Sequence, residues 1–365
     1  LDALNTGSRN VAIGKGALTA DTKGEQSVAV GANALQTQNF TSLTNTFNTA
    51  VGYFAGQALT TGTINTLIGG QAGANLTTEN SNVFVGYNSG QFNTTGAQNT
   101  FLGTKAGQGI TGTKLTGNNN VAVGFQAGLV LQGTATLNTF MGVDAGLSVT
   151  TGTNNTLVGG LAGDAITTGE DNTFLGKNAG DTCSTGSFNT ALGKGADVGT
   201  AAASGRIAIG INVNTTANDT ISVGAGTNKA SLTLDGSDTS WAASSDERLK
   251  ENIVESTAGL SFVNDLRPVT YNWKRAKDVP SDLPQYVEGS DDPCLGLEYG
   301  TQLHGFIAQE VKTVIDNHAE VKDGQAVWKT DETTVQALAP AALIPMLVKA
   351  IQELSAEIET LKSGG

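Results

Sequence analysis

Over the first two thirds of the chain a four-residue phrase keeps returning: a β-branched residue, a smaller or aromatic one, a bulky aliphatic one, then glycine. The glycine stands at 14, 31, 52, 69, 86, 103, 124, 142, 159, 176, 193, 210 and 224, most often 17 residues from the last. The residue before it is always bulky and aliphatic, as at Ile13, Val51, Leu102 and Met141, and two earlier comes Val, Ile or Thr. Asn precedes the glycine by four in ten of the thirteen copies. Alternation with period two predicts a short strand that sends two of these side chains to one face. The glycine permits a turn with positive φ. The Asn can satisfy turn backbone groups and, stacked copy on copy, form an amide ladder. Self-similarity at a fixed period is the mark of a solenoid, whose single rung cannot bury its apolar side alone. The expected fold class is therefore mainly β: a parallel β-roll or β-solenoid shaft of ~17-residue repeats over 1–227, with a connector over 228–245 that opens on one last strand.

Phe84, Phe101, Phe140 and Phe174 take the alternate position of the strand, which suits core or inter-chain packing, or else a platform for sugars. Two spacings of 21 insert extra chain at 32–51 and 104–123 and are the expected specialised surface of the shaft.

Composition divides the chain at Ser245. Residues 1–245 carry 40 glycines, 22 charges and no proline; residues 246–365 carry 8 glycines, all 6 prolines and 31 charges. Proline lacks the N–H that a stacked rung must donate, so its absence from the first part fits the solenoid. Near the other end, Ile344, Leu347, Ile351, Leu354, Ile358 and Leu361 are spaced 3, 4, 3, 4, 3. That is an a/d seam on a helix expected over 339–363. It reads as a trimeric coiled coil or as an amphipathic helix packed on its own domain.

The net charge of −13 argues against nucleic acid or an anionic membrane as partner. No apolar run approaches the ~18 residues of a membrane span, so no membrane insertion is expected. Cys183 and Cys294 are the only cysteines, and His304 and His318 show no ligand spacing, so no disulfide, metal or cofactor is expected. A first residue Leu1 gives the expectation of a longer protein. Thirteen scattered acidic residues in 1–245 offer no carboxylate pair for glycan cleavage.

Asn-Val-Ala-Ile-Gly-Lys-Gly-Ala at 10–17 and Ser-Val-Ala-Val-Gly-Ala-Asn-Ala at 27–34 resemble the head repeats of trimeric autotransporter adhesins. That likeness implies a left-handed parallel β-roll with three chains around one axis. From Ser244 the text becomes Ser-Ser-Asp-Glu-Arg-Leu-Lys-Glu-Asn-Ile. Leu266-Arg-Pro-Val-Thr-Tyr-Asn-Trp273, Gly305-Phe-Ile-Ala-Gln-Glu-Val311 and the helix from Ala339 to Leu361 follow in order. These four motifs resemble the C-terminal intramolecular chaperone domain of phage endosialidases, tail spikes and L-shaped tail fibres. The resemblance implies a small α+β domain over 246–365 that ends in a long trimeric coiled-coil helix. It also implies single-turnover self-cleavage by a Ser-Lys dyad, with no external substrate. Ser245 would be the nucleophile, Lys250 the general base and Ser245–Asp246 the bond cut.

Residue chemistry suits those roles. A serine hydroxyl needs a base, and a lysine is a base only when neutral, which burial or a cation such as Arg248 favours. On the residues alone, Ser245 reads equally as the N-cap of a solvated helix start. His304, Gln309 and Glu310 lie in or beside the Gly-Phe-Ile-Ala-Gln-Glu segment; core or trimer-contact roles compete there with support of the dyad.

The function implied is that of a virion structural protein, a distal tail fibre for host attachment. Its partners would be two further copies of itself, other tail proteins and a host-surface receptor, a glycan or outer-membrane component. Its place would be the virion, after assembly in the host cytoplasm. Two alternatives remain: a bacterial trimeric adhesin head, which calls for a stalk and membrane anchor that residues up to Gly365 do not spell, and a tail spike with a glycan-degrading domain upstream.

Overall fold

The computed structural model describes residues 6–234, 242–243, 247, 250–283, 285–295, 300–322, 327–330 and 336–364. Two compact units divide the chain, Leu1–Ser245 and Asp246–Gly365.

The first unit is a parallel β-solenoid of about thirteen turns. Its short strands, from Val11–Ile13 to Thr220–Ala225, stack in chain order in one sheet. Equivalent positions of the repeat lie opposite one another, so Phe140 stacks on Leu157 and Leu157 on Phe174. Backbone hydrogen bonds run from rung to rung at both ends of each strand: Thr156 N–H to the Asn172 carbonyl at 2.8 Å and Gly159 N–H to the Met141 carbonyl at 2.8 Å.

The middle residue of each strand points into the solenoid. Phe84, Phe101, Phe140 and Phe174 are fully buried core, and so are Ala29, Ala50 and Leu67. Opposite them runs a second apolar column: Leu59, Leu76, Leu131, Val149, Ile166 and Cys183. Burial pushes the Cys183 thiol up to about 11. The two β-branched or aliphatic side chains that alternation places on one face point outward instead, so stacking the rungs does not bury them.

Packing inside depends on size matching. The Phe101 ring lies where a Cβ on Gly107 would come within 2.5 Å, and Phe174 stands likewise 2.2 Å from one on Gly180. In the first two rungs, where the middle residue is Ala12 or Ala29, Leu18 and Leu35 occupy the position of those glycines and fill the volume. They adopt φ of 52° and 47° to do so.

Nine asparagines from Asn48 to Asn189 form a buried ladder, each backbone N–H after the first donating to the Oδ1 of the one before over 2.8–3.1 Å. The ladder is broken where Ser27 replaces Asn. The first long repeat repairs it: Gln38 accepts from Asn48 Nδ2 at 2.9 Å and donates to Ser27 Oγ at 2.8 Å and to the buried Asp21 at 2.7 Å. The extra residues there serve the interior as well as exposing Thr41–Leu43, while the second insertion exposes Ile110–Lys114 and then buries Leu115.

Arg206 ends the ladder. Its N–H donates to Asn189 Oδ1 at 3.1 Å, and its buried guanidinium donates to the Val198 and Thr215 carbonyls and to Asn218 Oδ1. The chain then reverses. Asn228–Thr233 pairs antiparallel with Thr220–Ala225 in the same sheet, and Ala242–Ala243 pairs antiparallel with it in turn.

The second unit is small and largely helical. Helices α1 (Leu260–Asp265), α2 (Ala308–Asn317), α3 (Ala319–Lys322) and α4 (Ile344–Ser363) accompany two antiparallel pairs, Val269–Tyr271 with Leu303–Gly305 and Trp328–Thr330 with Gln336–Leu338. Phe262, Leu266, Val311, Ile315, Val321 and Leu343 form its core. A 3₁₀ turn, Pro340–Leu343, leads into α4, where proline suits a first turn because its missing N–H has no partner to lose.

Candidate functional site

Of the residues expected to cut the chain, Ser245, Asp246 and Arg248 lie outside the described residues. Lys250 is exposed, and its backbone N–H donates to the Glu247 carbonyl at 3.0 Å.

The motifs that follow are brought together by the fold. Val269 pairs with Gly305 and Tyr271 with Leu303, so the segment 266–273 lies against 303–311. Arg267 clamps Glu310 with two hydrogen bonds, one from Nε at 2.9 Å and one from Nη2. That bond holds the Glu310 carboxyl below the usual carboxylate range. Glu310 thus sits in an ion pair on the surface of the single chain. Gln309 is exposed, and its carbonyl accepts from Thr313 Oγ1 at 3.0 Å. His304 is exposed, outside the apolar core, on the rim of an open cavity of about 510 Å³ lined by Pro268, Val269, Thr270, Gly305 and Phe306. Among the described residues no group of three His, Cys, Asp or Glu could hold a metal, and no helix is long and apolar enough to cross a membrane.

Helix α4 packs on its own unit and still leaves its a/d seam exposed. One side packs on its own unit: Ala350 is buried, as is Leu343 at the end of the turn before it, and Glu353 Oε2 accepts the Leu260 N–H at the start of α1 at 2.7 Å. Gly259 makes that approach feasible, because a Cβ there would meet the Glu353 carboxylate at 2.3 Å. The a/d seam runs along the flank beside this packed side, with Leu347 bordering a cavity shared with Val263 and Leu266, and is exposed from 42% at Leu354 to 77% at Leu361. Six large apolar side chains in a row facing water are the signature of an interface.

The solenoid shows a second surface of this kind. The outward side chains of the strands and their flanks form an apolar face that includes Phe47, Tyr53, Ile68, Leu102, Leu137 and Met141, all exposed. Phe47, Ile64, Leu137 and Phe188 stand at one edge of it with φ between 50° and 61°. A left-handed backbone costs roughly 1–2 kcal/mol for such residues. This strand face was not recognised in the sequence as solvent-facing in one chain, because the period-two pattern gives the faces of a strand and not which one closes the solenoid.

A peptidase-family model described as the chaperone of endosialidase matches residues 245–320. That match implies a peptidase-like, self-cleaving intramolecular chaperone over these residues and suggests a tail-fibre- or tail-spike-like protein. Comparison with curated proteins and with solved structures returns no match.

Proposed function

We propose that this chain is part of a homotrimeric phage tail fibre for host attachment, whose C-terminal unit aligns three copies and then cuts itself off at Ser245–Asp246. The observation that carries the reading is the chaperone-family match directly after a solenoid whose outward face is apolar and uncovered. A second and third copy of this chain would cover that face and the α4 seam together.

The repetitive fold supports one order of events. Every rung resembles the next, so slipped pairings between chains are nearly degenerate. Parallel non-local pairing is also slow and leaves edges open. A C-terminal unit that trimerises first, through Ile344, Leu347, Ile351, Leu354, Ile358 and Leu361, sets the register before the rungs close. Its removal leaves a trimer held by its unfolding barrier.

In the cutting step Ser245 Oγ attacks the scissile carbonyl, and Lys250 takes the hydroxyl proton and passes it to the leaving amine of Asp246. Water then hydrolyses the ester. A hydroxyl reaches the carbonyl of its own residue only through a four-membered ring, so the attacking Ser245 belongs to a second copy. Cutting is thereby tied to assembly, which would also cover the exposed Lys250. The mature fibre would sit in the virion after assembly in the host cytoplasm, with a glycan or outer-membrane component as receptor.

The test is the intact mass of fresh protein beside Ser245→Ala and Lys250→Ala. Fragments 1–245 and 246–365 from the parent, with both variants uncut, support the dyad and the bond. A tagged Ser245→Ala chain that is cut when folded with untagged parent supports attack between copies. An uncut parent that is trimeric removes the protease reading alone; an uncut monomer removes the fibre reading too.

A further inference from the structure

His318 joins three helices of the C-terminal unit. It caps the end of α2, its N–H donating to the Ile315 carbonyl at 3.2 Å, and it leads directly into α3. Its ring is almost enclosed, 10% exposed, and stands edge-on to Phe262 of α1 with centroids 5.3 Å apart. Nε2 meets Asp265 Oδ2, at the last residue of α1, at 2.8 Å, and Nδ1 meets Glu320 Oε1 on α3 at 2.8 Å.

A neutral imidazole carries one N–H and one lone pair, so it can donate to only one of these carboxylates and must turn its lone pair on the other. The imidazolium donates to both. The carbonyl end of α2 adds a further negative potential at the same place. Asp265 from α1, Glu320 from α3 and the terminal carbonyls of α2 favour a bound proton, and the positive N-terminal end of the four-residue α3 opposes it.

We propose that His318 is a proton-operated latch of the C-terminal unit: protonated, it ties the end of α1 to α3 across the close of α2, and its deprotonation releases one tie and loosens these helices. In keeping with the geometry, the hydrogen bonds to Asp265 and then Glu320 raise the His318 pKa above its ordinary value. Its own backbone N–H first, and then His318, lower that of Glu320. The folded state therefore binds a proton that the unfolded state gives up more readily. The latch contributes fully below the ordinary histidine value and is lost as pH rises through the raised one. This device is independent of the cutting reaction.

The chain has two histidines, so NMR of the full-length protein resolves the ring titration, with His318→Asn assigning the signal. The expected result is titration above an ordinary histidine. Amide exchange in 260–265 and 319–322, corrected for its intrinsic base catalysis, should then quicken as pH passes through that value, about tenfold for each unit of elevation. Asp265→Asn and Glu320→Gln should each lower the titration point and flatten the exchange profile. Titration at or below the ordinary value, or exchange with no such step, overturns the proposal. Should the substituted chains misfold, the parent titration and its exchange profile still decide.

Discussion

Asn82 donates twice to a single atom: its backbone N–H and its Nδ2 both meet Oδ1 of Asn65, at 3.0 and 3.2 Å. Asn172 repeats the arrangement on Asn155 at 3.1 and 3.0 Å, and Asn155 Nδ2 also reaches the Gly169 carbonyl at 2.8 Å. Asn155→Ala would strand the Asn172 N–H and the Gly169 carbonyl inside the core. At roughly 1–3 kcal/mol for each buried orphan, the expected loss is about 3–5 kcal/mol. Asn155→Asp should be no better, since the new oxygen would face Asn138 Oδ1 and the Gly169 carbonyl. Denaturant midpoints of the full chain measure both.

Two glycines one column apart should behave oppositely. Gly103 has φ of +139°, and a Cβ there would stand 2.4 Å from the Gly124 carbonyl of the next rung. Backbone cannot yield to it without opening the stack. Gly160 has no positive φ, and its nearest neighbour would be the Val143 carbonyl at 3.9 Å. Gly103→Ala should abolish cooperative unfolding of the solenoid or lower its midpoint steeply, while Gly160→Ala should leave it within about 0.5 kcal/mol.

Acidic side chains line the later rungs, and their partial burial, with mutual repulsion behind it, sets a pH dependence. Desolvation first, and then its neighbours Asp197 and Asp164, raise the Asp181 pKa; desolvation, with Asp144 behind it, raises that of Asp164. A raised carboxyl pKa means the folded state holds its proton more tightly than the unfolded one. These groups therefore weaken the fold above the raised value, and the penalty fades as pH falls through it. Asp181→Asn should stabilise the solenoid at pH 7 by a few tenths of a kcal/mol, an amount kept small by solvent screening. The gain should vanish near pH 3. Melting curves of both proteins at the two pH values give the difference.

On α4, two polar contacts to the same neighbourhood should differ in weight. Glu353 accepts the Leu260 N–H at the opening of α1, so Glu353→Ala removes a cap and should cost about 1 kcal/mol. Lys349 pairs with Glu255, whose side chain is 82% exposed, and Lys349→Ala should not measurably change the unfolding midpoint. Thermal unfolding of the full chain, followed at the helical signal, separates the two.

The parallel solenoid, its rung count and the helix at the end were legible because each rests on a period, and a period survives without knowledge of partners. What the period could not assign was direction. Phe140 and Met141 are adjacent apolar residues in one strand, yet one is core and the other is solvent-facing in the single chain. Nothing local separates them; the closing of the solenoid decides. Gln38 was hidden for a related reason, since its partners Ser27 and Asn48 are 11 and 10 residues away in a repeat of irregular length. Asp265 and His318 are 53 residues apart, and a contact at that range leaves no spacing to read. The residues expected to cut the chain were found through a family's wording, and Ser245 and Asp246 lie where the structure is not described.

Cys183 sits in the inner column of the solenoid with no exposed surface, its thiol held at about 11, while Cys294 in the other unit is half-buried. A thiol reagent therefore meets this chain on two clocks. One ticks with the ordinary reactivity of a partly accessible side chain. The other advances only when a rung comes apart, so its rate reports how often a closed turn opens, written into the native sequence without any label added.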